Sequence, residues 1–158
     1  MESEESEIKK EKTGGSRSFE HLQSREGTKV NVALAIIEKD GKFLVGRRHP
    51  GKHMGGKWEF PGGKVKERES PEECIKREVA EELEAPIDNI KPYFEWDYEF
   101  PDGNLFHLTA FRCELVAEPE RNVHQELRWA SLEELSQLDF IESDRVVLEM
   151  LKNAKPAS

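Results

Sequence analysis

Cysteine and long apolar runs are scarce in this sequence of 158 residues. The 2 cysteines, Cys74 and Cys113, fall in segments that are predicted to be a helix and a strand. No apolar stretch of the signal-peptide type precedes them, so we expect buried, reduced thiols in a cytoplasmic protein. No apolar run approaches the roughly 20 residues that a membrane-spanning helix requires, which argues against a membrane protein.

Positive charge is also in deficit, since 24 Lys and Arg residues stand against 33 Asp and Glu residues, for a formal net charge of -9. This balance opposes binding to an extended nucleic-acid duplex, which would require a basic face. A phosphate-bearing substrate would therefore need local cations or a metal ion. The length suits one domain, and both a monomer and a dimer are compatible with it.

The chain divides by composition into a tail, a domain and a short C-terminal tail. Residues 1–28 mix charges, Ser and Gly with few apolar side chains, so we expect them to be a flexible tail. Residues 29–153 are expected to form the domain, and residues 154–158 a second tail.

Apolar periodicity and turn residues predict an order of strands and helices within the domain. The apolar run from Val30 to Ile37 predicts a strand that is covered on both faces, and Asp40-Gly41 predicts a hairpin turn after it. Ser70-Pro71-Glu72-Glu73 is a capping box with proline at the first helical position, so a helix should run from about Pro71 to about Glu84. The other expected elements are strands at about 42–47, 58–60, 90–100, 105–116 and 127–130, and helices at about 132–138 and 144–152.

Three carboxylates in the first helix, Glu78, Glu81 and Glu82, have the spacing i, i+3 and i+4 and therefore share one face. Like charges this close repel each other unless a positive group lies between them. Hard oxygen donors favour Mg²⁺ or Mn²⁺ over Zn²⁺ as that group. The alternative is an ordinary solvated face, since Glu is common on surface helices.

The whole segment Gly63–Leu83 resembles the Nudix box, G-x5-E-x7-R-E-U-x-E-E-x-G-U, where U is a bulky aliphatic residue. The positions that match in register are Gly63, Glu69, Arg77, Glu78, Val79, Glu81 and Glu82. Seven specified positions at fixed spacing form a specific signal. Glu84 stands where the family has Gly, and Ala85 where it has a larger aliphatic residue, which affects only the end of the helix.

The resemblance extends over about residues 30–151 and is closest to the MutT type, which removes oxidised guanine nucleotides. The runs that carry it are Gly46-Arg47-Arg48, His53-Met54, Trp58 to Lys64 and Tyr98 to Asp102. It implies an α+β protein with the Nudix fold, an α/β/α sandwich in which a mixed sheet lies between helices.

The resemblance also implies roles for the Nudix-box residues. Glu78, Glu81 and Glu82 would be Mg²⁺ or Mn²⁺ ligands, together with the backbone carbonyl of Gly62. Arg77 would pair with Glu69 and orient the loop before the helix. Either Glu82 or Glu78 could accept the proton of the attacking water.

Five further residues match family positions on the substrate side. Arg48 would contact the phosphate or sugar, and His53 would also bind the substrate. Phe60 and Phe100 would lie near the base, and Asp144 would read the base edge. Each has a structural alternative: a surface arginine, a solvated loop histidine, two core aromatics, and a helix N-cap for Asp144.

One position departs from the MutT pattern in a way that bears on metal binding. Val123 stands six residues before Trp129, where the family usually has a further metal-binding Glu. Glu126 or Glu120 could substitute from the same loop, or the site could hold fewer metal ions before substrate binds.

The resemblance favours a first hypothesis, that the protein is a Mg²⁺-dependent pyrophosphohydrolase. Such an enzyme would convert a nucleoside triphosphate, such as 8-oxo-dGTP or a modified pyrimidine nucleotide, to the monophosphate and pyrophosphate. A second hypothesis is a Nudix enzyme for another diphosphate, such as an RNA 5' end, a dinucleoside polyphosphate or a nucleotide sugar. A third is a catalytically silent module that only binds a nucleotide or a partner protein. The intact carboxylates oppose the third hypothesis, whereas Val123 favours it.

Overall fold

The computed structural model describes residues 29–154, so the tail expected at 1–28 and all but the first residue of the second tail lie outside the described residues. The strands are β1 (Lys29–Lys39), β2 (Lys42–Arg47), β3 (Trp58–Glu59), β4 (Gly62–Lys64), β5 (Ile87–Glu99), β6 (Leu105–Leu115) and β7 (Glu126–Ser131). The helices are α1 (Pro71–Leu83), α2 (Leu132–Leu135) and α3 (Glu142–Asn153). No helix in this range is long and apolar enough to cross a membrane.

The apolar strand β1 lies at the centre of a mixed sheet. It pairs in parallel with β6, from Lys29 opposite Leu105 to Ile37 opposite Cys113, and antiparallel with β2 and β4. Strand β6 continues the sheet to β5, and β2 carries β3 and β7, each pair antiparallel. The parallel β1–β6 pair is what makes the sheet mixed, as the sequence resemblance implied.

Both faces of β1 are buried because helices cover the sheet on both sides. Val32, Leu34 and Ile36 belong to the cluster that includes Val147 and Leu148 of α3. The residues between them pack into the cluster that contains Cys74, Ile75, Val79 and Leu83 of α1; they are Ala33, Ala35 and Ile37. The fold is therefore an α/β/α sandwich, and the prediction of a strand covered on both faces is confirmed.

Helix α1 begins and ends where the sequence pattern predicts. Ser70 Oγ accepts a hydrogen bond from Glu73 N–H at 3.0 Å, and the Glu73 carboxylate accepts one from Ser70 N–H at 2.9 Å, which completes the capping box. At the other end, Glu84 adopts a left-handed conformation with φ of 52°. Glycine favours this conformation, and a side chain makes it costlier. The helix thus ends in the left-handed conformation that glycine favours, although Glu84 occupies this position.

Several expected boundaries were wrong by two or three residues, including that of β5, which begins at Ile87 and not at 90, and one strand was not anticipated. The helix expected at 132–138 ends at Leu135, and the last helix begins at Glu142, two residues before Asp144. Strand β4 contains two glycines, which are uncommon in strands, so its composition did not predict a strand. It forms because β1 offers backbone partners on that side.

Candidate active site

The carboxylate face of α1 points at the edge of the core. Glu78 and Glu82 are 4% and 0% exposed, whereas the side chain of Glu81 is 39% exposed at the rim. The apolar stripe of the same helix packs on the sheet, which forces the adjoining carboxylates against the backbone of β4. The three carboxylates share one face of α1, as predicted, and two of them, Glu78 and Glu82, are buried inside the protein.

Gly63 of β4 makes room for the Glu78 carboxylate, and Gly62 makes room for the backbone of β1. A Cβ atom on Gly63 would lie 2.4 Å from the Glu78 carboxyl carbon, and one on Gly62 would lie 2.1 Å from the Ala33 carbonyl oxygen. Gly62 N–H also points at Glu82 Oε1, at 3.4 Å. Any side chain at Gly63 would displace Glu78, so this close approach of backbone and carboxylate explains the glycine that opens the motif.

The expected pairing of Arg77 with Glu69 is present and is bidentate. Arg77 Nε and Nη2 donate to the two Glu69 oxygens at 2.7 and 3.0 Å. Lys66 N–H donates to Glu69 Oε1 at 2.9 Å, so Glu69 ties the loop before α1 to the helix. Burial would raise the pKa of Glu69, but the hydrogen bonds from Arg77 and Lys66 outweigh burial and lower that pKa.

Arg77 also reaches the carboxylate face, which the sequence did not predict. Its Nη1 donates to Glu78 Oε2 at 2.8 Å and lies 3.4 Å from Glu81 Oε1. Burial would lower the pKa of Arg77, but the hydrogen bond to Glu69 and the charge of Glu78 raise it, so the guanidinium stays cationic. The single guanidinium of Arg77 thus contacts both Glu69 and the carboxylate face. The region keeps an excess of negative charge.

The donors suit a hard divalent cation. No three His, Cys, Asp or Glu side chains between residues 29 and 154 are already arranged as metal ligands. Within the same range, Glu78 Oε1 is buried without a hydrogen-bond partner, and burial raises the pKa of Glu78. Carboxylate and backbone oxygens are what Mg²⁺ prefers, and a cation here would satisfy that buried oxygen and hold Glu78 ionised. Glu78, Glu81, Glu82 and the Gly62 carbonyl therefore fit Mg²⁺, and their role as its ligands stays a prediction.

Arg48, predicted to face the phosphate or sugar, and His53, predicted to bind the substrate, have different surroundings. The side chain of Arg48 is 1% exposed; its Nη1 lies 3.3 Å from Glu59 Oε1, and its Nε donates to the His53 carbonyl at 2.9 Å. The alternative of a surface arginine is therefore wrong, and so little of the guanidinium surface is open that direct contact with a substrate would require Arg48 to move. His53 is exposed in the loop between β2 and β3, and its contact with substrate stays a prediction.

The residues predicted near the base lie on the α3 side of the sheet. Phe60 and Phe100 are both members of the buried cluster there, and Phe60 lies 5.4 Å from Phe140 between ring centroids. Asp144 is fully buried, and its Oδ2 accepts a hydrogen bond from Phe60 N–H at 2.9 Å. The N-cap alternative for Asp144 is wrong, because α3 begins at Glu142 with Ile141 as its cap. The carboxylate instead ties α3 to the chain between β3 and β4.

The loop that contains Val123 is fastened to the end of α1. Asn122 Nδ2 donates to the Glu81 carbonyl at 2.6 Å, and Glu120 N–H donates to the Leu83 carbonyl at 2.7 Å. Glu126, the other proposed substitute ligand, lies in β7 and pairs with Arg128 at 3.0 Å. Of the two proposed substitutes, only Glu120 has its backbone bonded to the end of α1 in the part of the chain that the structure describes.

Sequence reasoning missed two buried polar residues beside this region, Glu59 and His124. Their side chains are each 1% exposed, and His124 Nε2 lies 2.8 Å from Glu59 Oε2. Glu59 lies in a short strand between two buried aromatics, a position where a buried charge is unusual and where a partner could have been sought. Nothing in the sequence identifies His124 as that partner.

Comparison with known proteins agrees with this geometry. A model of the NUDIX domain family matches residues 27–151. The chain belongs to the Nudix family. This Nudix chain is 35% identical over 132 residues to the CTP pyrophosphohydrolase of Escherichia coli K12, a match that covers 81% of this chain and 97% of the relative. It is 33% identical over 127 residues to the 8-oxo-dGTP diphosphatase of the same strain, covering 78% and 97%.

A solved structure gives the same result for the fold. The crystal structure of a MutT Nudix hydrolase from Burkholderia pseudomallei superposes with a TM-score of 0.70 at 26% identity and covers 77% of this chain and 97% of that one. Together with the two relatives, it identifies the protein as a Nudix hydrolase of the MutT type, as the sequence resemblance implied. The relatives act on different bases, so they leave the substrate of this chain to be inferred.

Proposed function

We propose that this Nudix hydrolase is a Mg²⁺-dependent pyrophosphohydrolase that converts a nucleoside triphosphate to the monophosphate and pyrophosphate. The observation that carries the proposal is the buried pair Glu78 and Glu82 against the glycine backbone of β4, with Arg77 clamped to Glu69 beside them. This arrangement concentrates negative charge that a divalent cation would balance, and the same cation would bind the phosphates of a nucleotide.

The residues of the site divide the chemistry between them. Mg²⁺, when bound, would neutralise the diphosphate and make a bound water more acidic. Glu78, Glu81, Glu82 and the Gly62 carbonyl would hold it, and either Glu82 or Glu78 would take the proton from the attacking water. Arg77 would keep the carboxylate face in place by holding Glu69, Glu78 and Glu81 at once.

The base is proposed to lie near Phe60 and Phe100, with Asp144 reading its edge. Asp144 supports this role because it is bonded to the backbone of Phe60 and so lies next to an aromatic ring. His53, and Arg48 if it moves, would contact the phosphate or sugar from the loop between β2 and β3. 8-oxo-dGTP and CTP are the first substrates to test, since the relatives that are named for these two nucleotides each match more than three quarters of the chain.

A panel of nucleotides tests this proposal. We expect that 8-oxo-dGTP, dGTP, CTP or a related triphosphate yields one pyrophosphate per nucleotide in Mg²⁺, and that excess EDTA abolishes the reaction. Pyrophosphate and phosphate are measured separately, because release of phosphate in place of pyrophosphate would contradict the proposed position of cleavage. Turnover confined to RNA 5' ends, dinucleoside polyphosphates or nucleotide sugars would favour the second hypothesis, and no turnover at all would favour the silent module.

The proposed role of Asp144 predicts a change in base preference in the Asp144→Asn variant. The Asn carbonyl can still accept the Phe60 N–H, but its amide adds a donor at the base edge. We expect the ratio of kcat/KM for 8-oxo-dGTP and dGTP to change by about tenfold, the effect of one hydrogen bond. Steady-state kinetics on both nucleotides measures this ratio.

The matched control is Asp88→Asn, since Asp88 is exposed on β5 and should leave the ratio unchanged. An unchanged ratio in a folded Asp144→Asn protein would leave Asp144 with only its structural contact to Phe60.

A further inference from the structure

Arg48, Glu59 and His124 form a cluster of buried polar side chains. Each of the three side chains is 1% exposed. One Glu59 oxygen lies 3.3 Å from Arg48 Nη1, and the other lies 2.8 Å from His124 Nε2. With Glu59 ionised, both partners donate to the same carboxylate.

Burying such groups is costly unless their geometry is held closely, because they lose contact with water. The fold provides space for this geometry at Gly46 of β2. A Cβ atom there would lie 2.5 Å from the His124 ring, so only glycine lets the imidazole lie flat against the strand. A cluster that is costly to bury and accommodated in this way suggests a role beyond filling the core.

On one side the cluster holds the loop between β2 and β3. Arg48 Nε donates to the His53 carbonyl at 2.9 Å, and the Arg48 carbonyl accepts from Gly56 N–H at 2.9 Å. A further bond inside the loop joins Gly55 N–H to the Lys52 carbonyl at 2.8 Å. The conformation of the loop that presents His53 therefore depends on where Arg48 is held.

On the other side the cluster holds the loop before β7. His124 lies two residues after Asn122, whose side chain donates to the Glu81 carbonyl. This bond fastens the loop to α1. Gln125 N–H donates to the Arg47 carbonyl at 2.8 Å, next to Arg48. Glu59, bonded to both Arg48 and His124, is the bridge between the two loops.

We propose that Arg48, Glu59 and His124 form a positioning network that sets the loop carrying His53 relative to the carboxylate face of α1. Glu59 and His124 are positioning residues, because they act through Arg48 and the two loops. The proposal rests on the hydrolase activity of the family and not on which base is recognised. Loss of the network should therefore weaken substrate binding, seen in KM, more than it slows turnover.

Two substitutions of His124 separate positioning from packing. His124→Phe keeps a ring against Gly46 but removes the bond to Glu59, whereas His124→Gln places an amide N–H near the position of Nε2 and can restore that bond. In His124→Phe we expect KM to rise about tenfold with a smaller change in kcat, and in His124→Gln we expect values within about twofold of the parent. The kinetics use the nucleotide that is hydrolysed fastest by the parent.

Hydrogen exchange of the loop amides gives a readout that needs no substrate. The amides of Gly55 and Gly56 should exchange about tenfold faster in His124→Phe than in the parent, and at the parent rate in His124→Gln. The matched control is His107→Phe, because His107 lies on β6, bonded to Asp97 and Glu95, and should change neither KM nor this exchange. If no nucleotide is hydrolysed, the proposed function fails and the exchange rates alone decide the positioning role.

A His124→Phe protein with a lower melting temperature but unchanged KM and unchanged loop exchange would overturn the proposal. If this variant does not fold, Gly46→Ala takes its place, since an added Cβ displaces the His124 ring while every hydrogen-bonding group is kept. Faster loop exchange in Gly46→Ala supports the network, and parent-like exchange there overturns it.

Discussion

Glu82→Gln is expected to lower kcat in Mg²⁺ by about 10³-fold, equivalent to about 4 kcal/mol of transition-state stabilisation. Glu82 is fully buried on the carboxylate face, and the substitution removes its charge at nearly constant volume. The Gln carbonyl can still face Gly62 N–H, so the local backbone contact is kept. The loss should therefore appear in catalysis and not in folding. Steady-state kinetics and urea denaturation of the same preparation measure both.

The matched control for this prediction is Glu72→Gln on the same helix. Glu72 is exposed in the first turn and pairs with Lys76 at 3.8 Å, a contact of the kind that contributes little. Its activity should equal that of the parent. If Glu82→Gln kept activity within about threefold of the parent, a loss below about 1 kcal/mol, Glu82 would have no place among the ligands or bases of the site.

Arg77→Lys is expected to lower kcat/KM by about 100-fold although the charge is kept, a loss of about 3 kcal/mol. The guanidinium makes two parallel bonds to Glu69 and further contacts with Glu78 and Glu81, a geometry that one ammonium group cannot reproduce. Without the clamp, the loop that contains Glu69 and the carboxylate face would lose their common anchor. We also expect a higher Mg²⁺ concentration at half-maximal rate.

Lys76→Arg, the reverse exchange one residue earlier on the exposed side of α1, is the control and should be neutral. A parent-like kcat/KM in Arg77→Lys would show that the positive charge alone is sufficient and that the bidentate contact with Glu69 has no catalytic consequence.

The candidate metal site was predictable because its pattern is local. Glu78, Glu81 and Glu82 share a face by helical geometry alone, and the start of α1 follows from the bond between Ser70 and Glu73, three residues apart. The strand at 30–37 was likewise evident from its own apolar residues. Each of these features depends on residues that are close to one another in the sequence, so the sequence shows it directly.

The surroundings of the substrate-side residues were decided by contacts between distant parts of the chain. Asp144 meets Phe60 across 84 residues, and His124 meets Glu59 across 65. Which of these side chains face each other depends on strand register and on how α3 lies over the sheet, and a shift of one residue would turn a strand side chain to the opposite face.

The sequence by itself therefore determined the family, the strand at the centre of the sheet and the carboxylates of α1, since these follow from spacing along the chain. Only the tertiary structure decided that Arg48 is a buried partner of Glu59 and that Asp144 is not a helix cap. It also decided that Gly63 is required by the approach of Glu78. The physical reason is burial: whether a charged group is desolvated depends on every element packed around it, and those elements meet only when the sheet has formed.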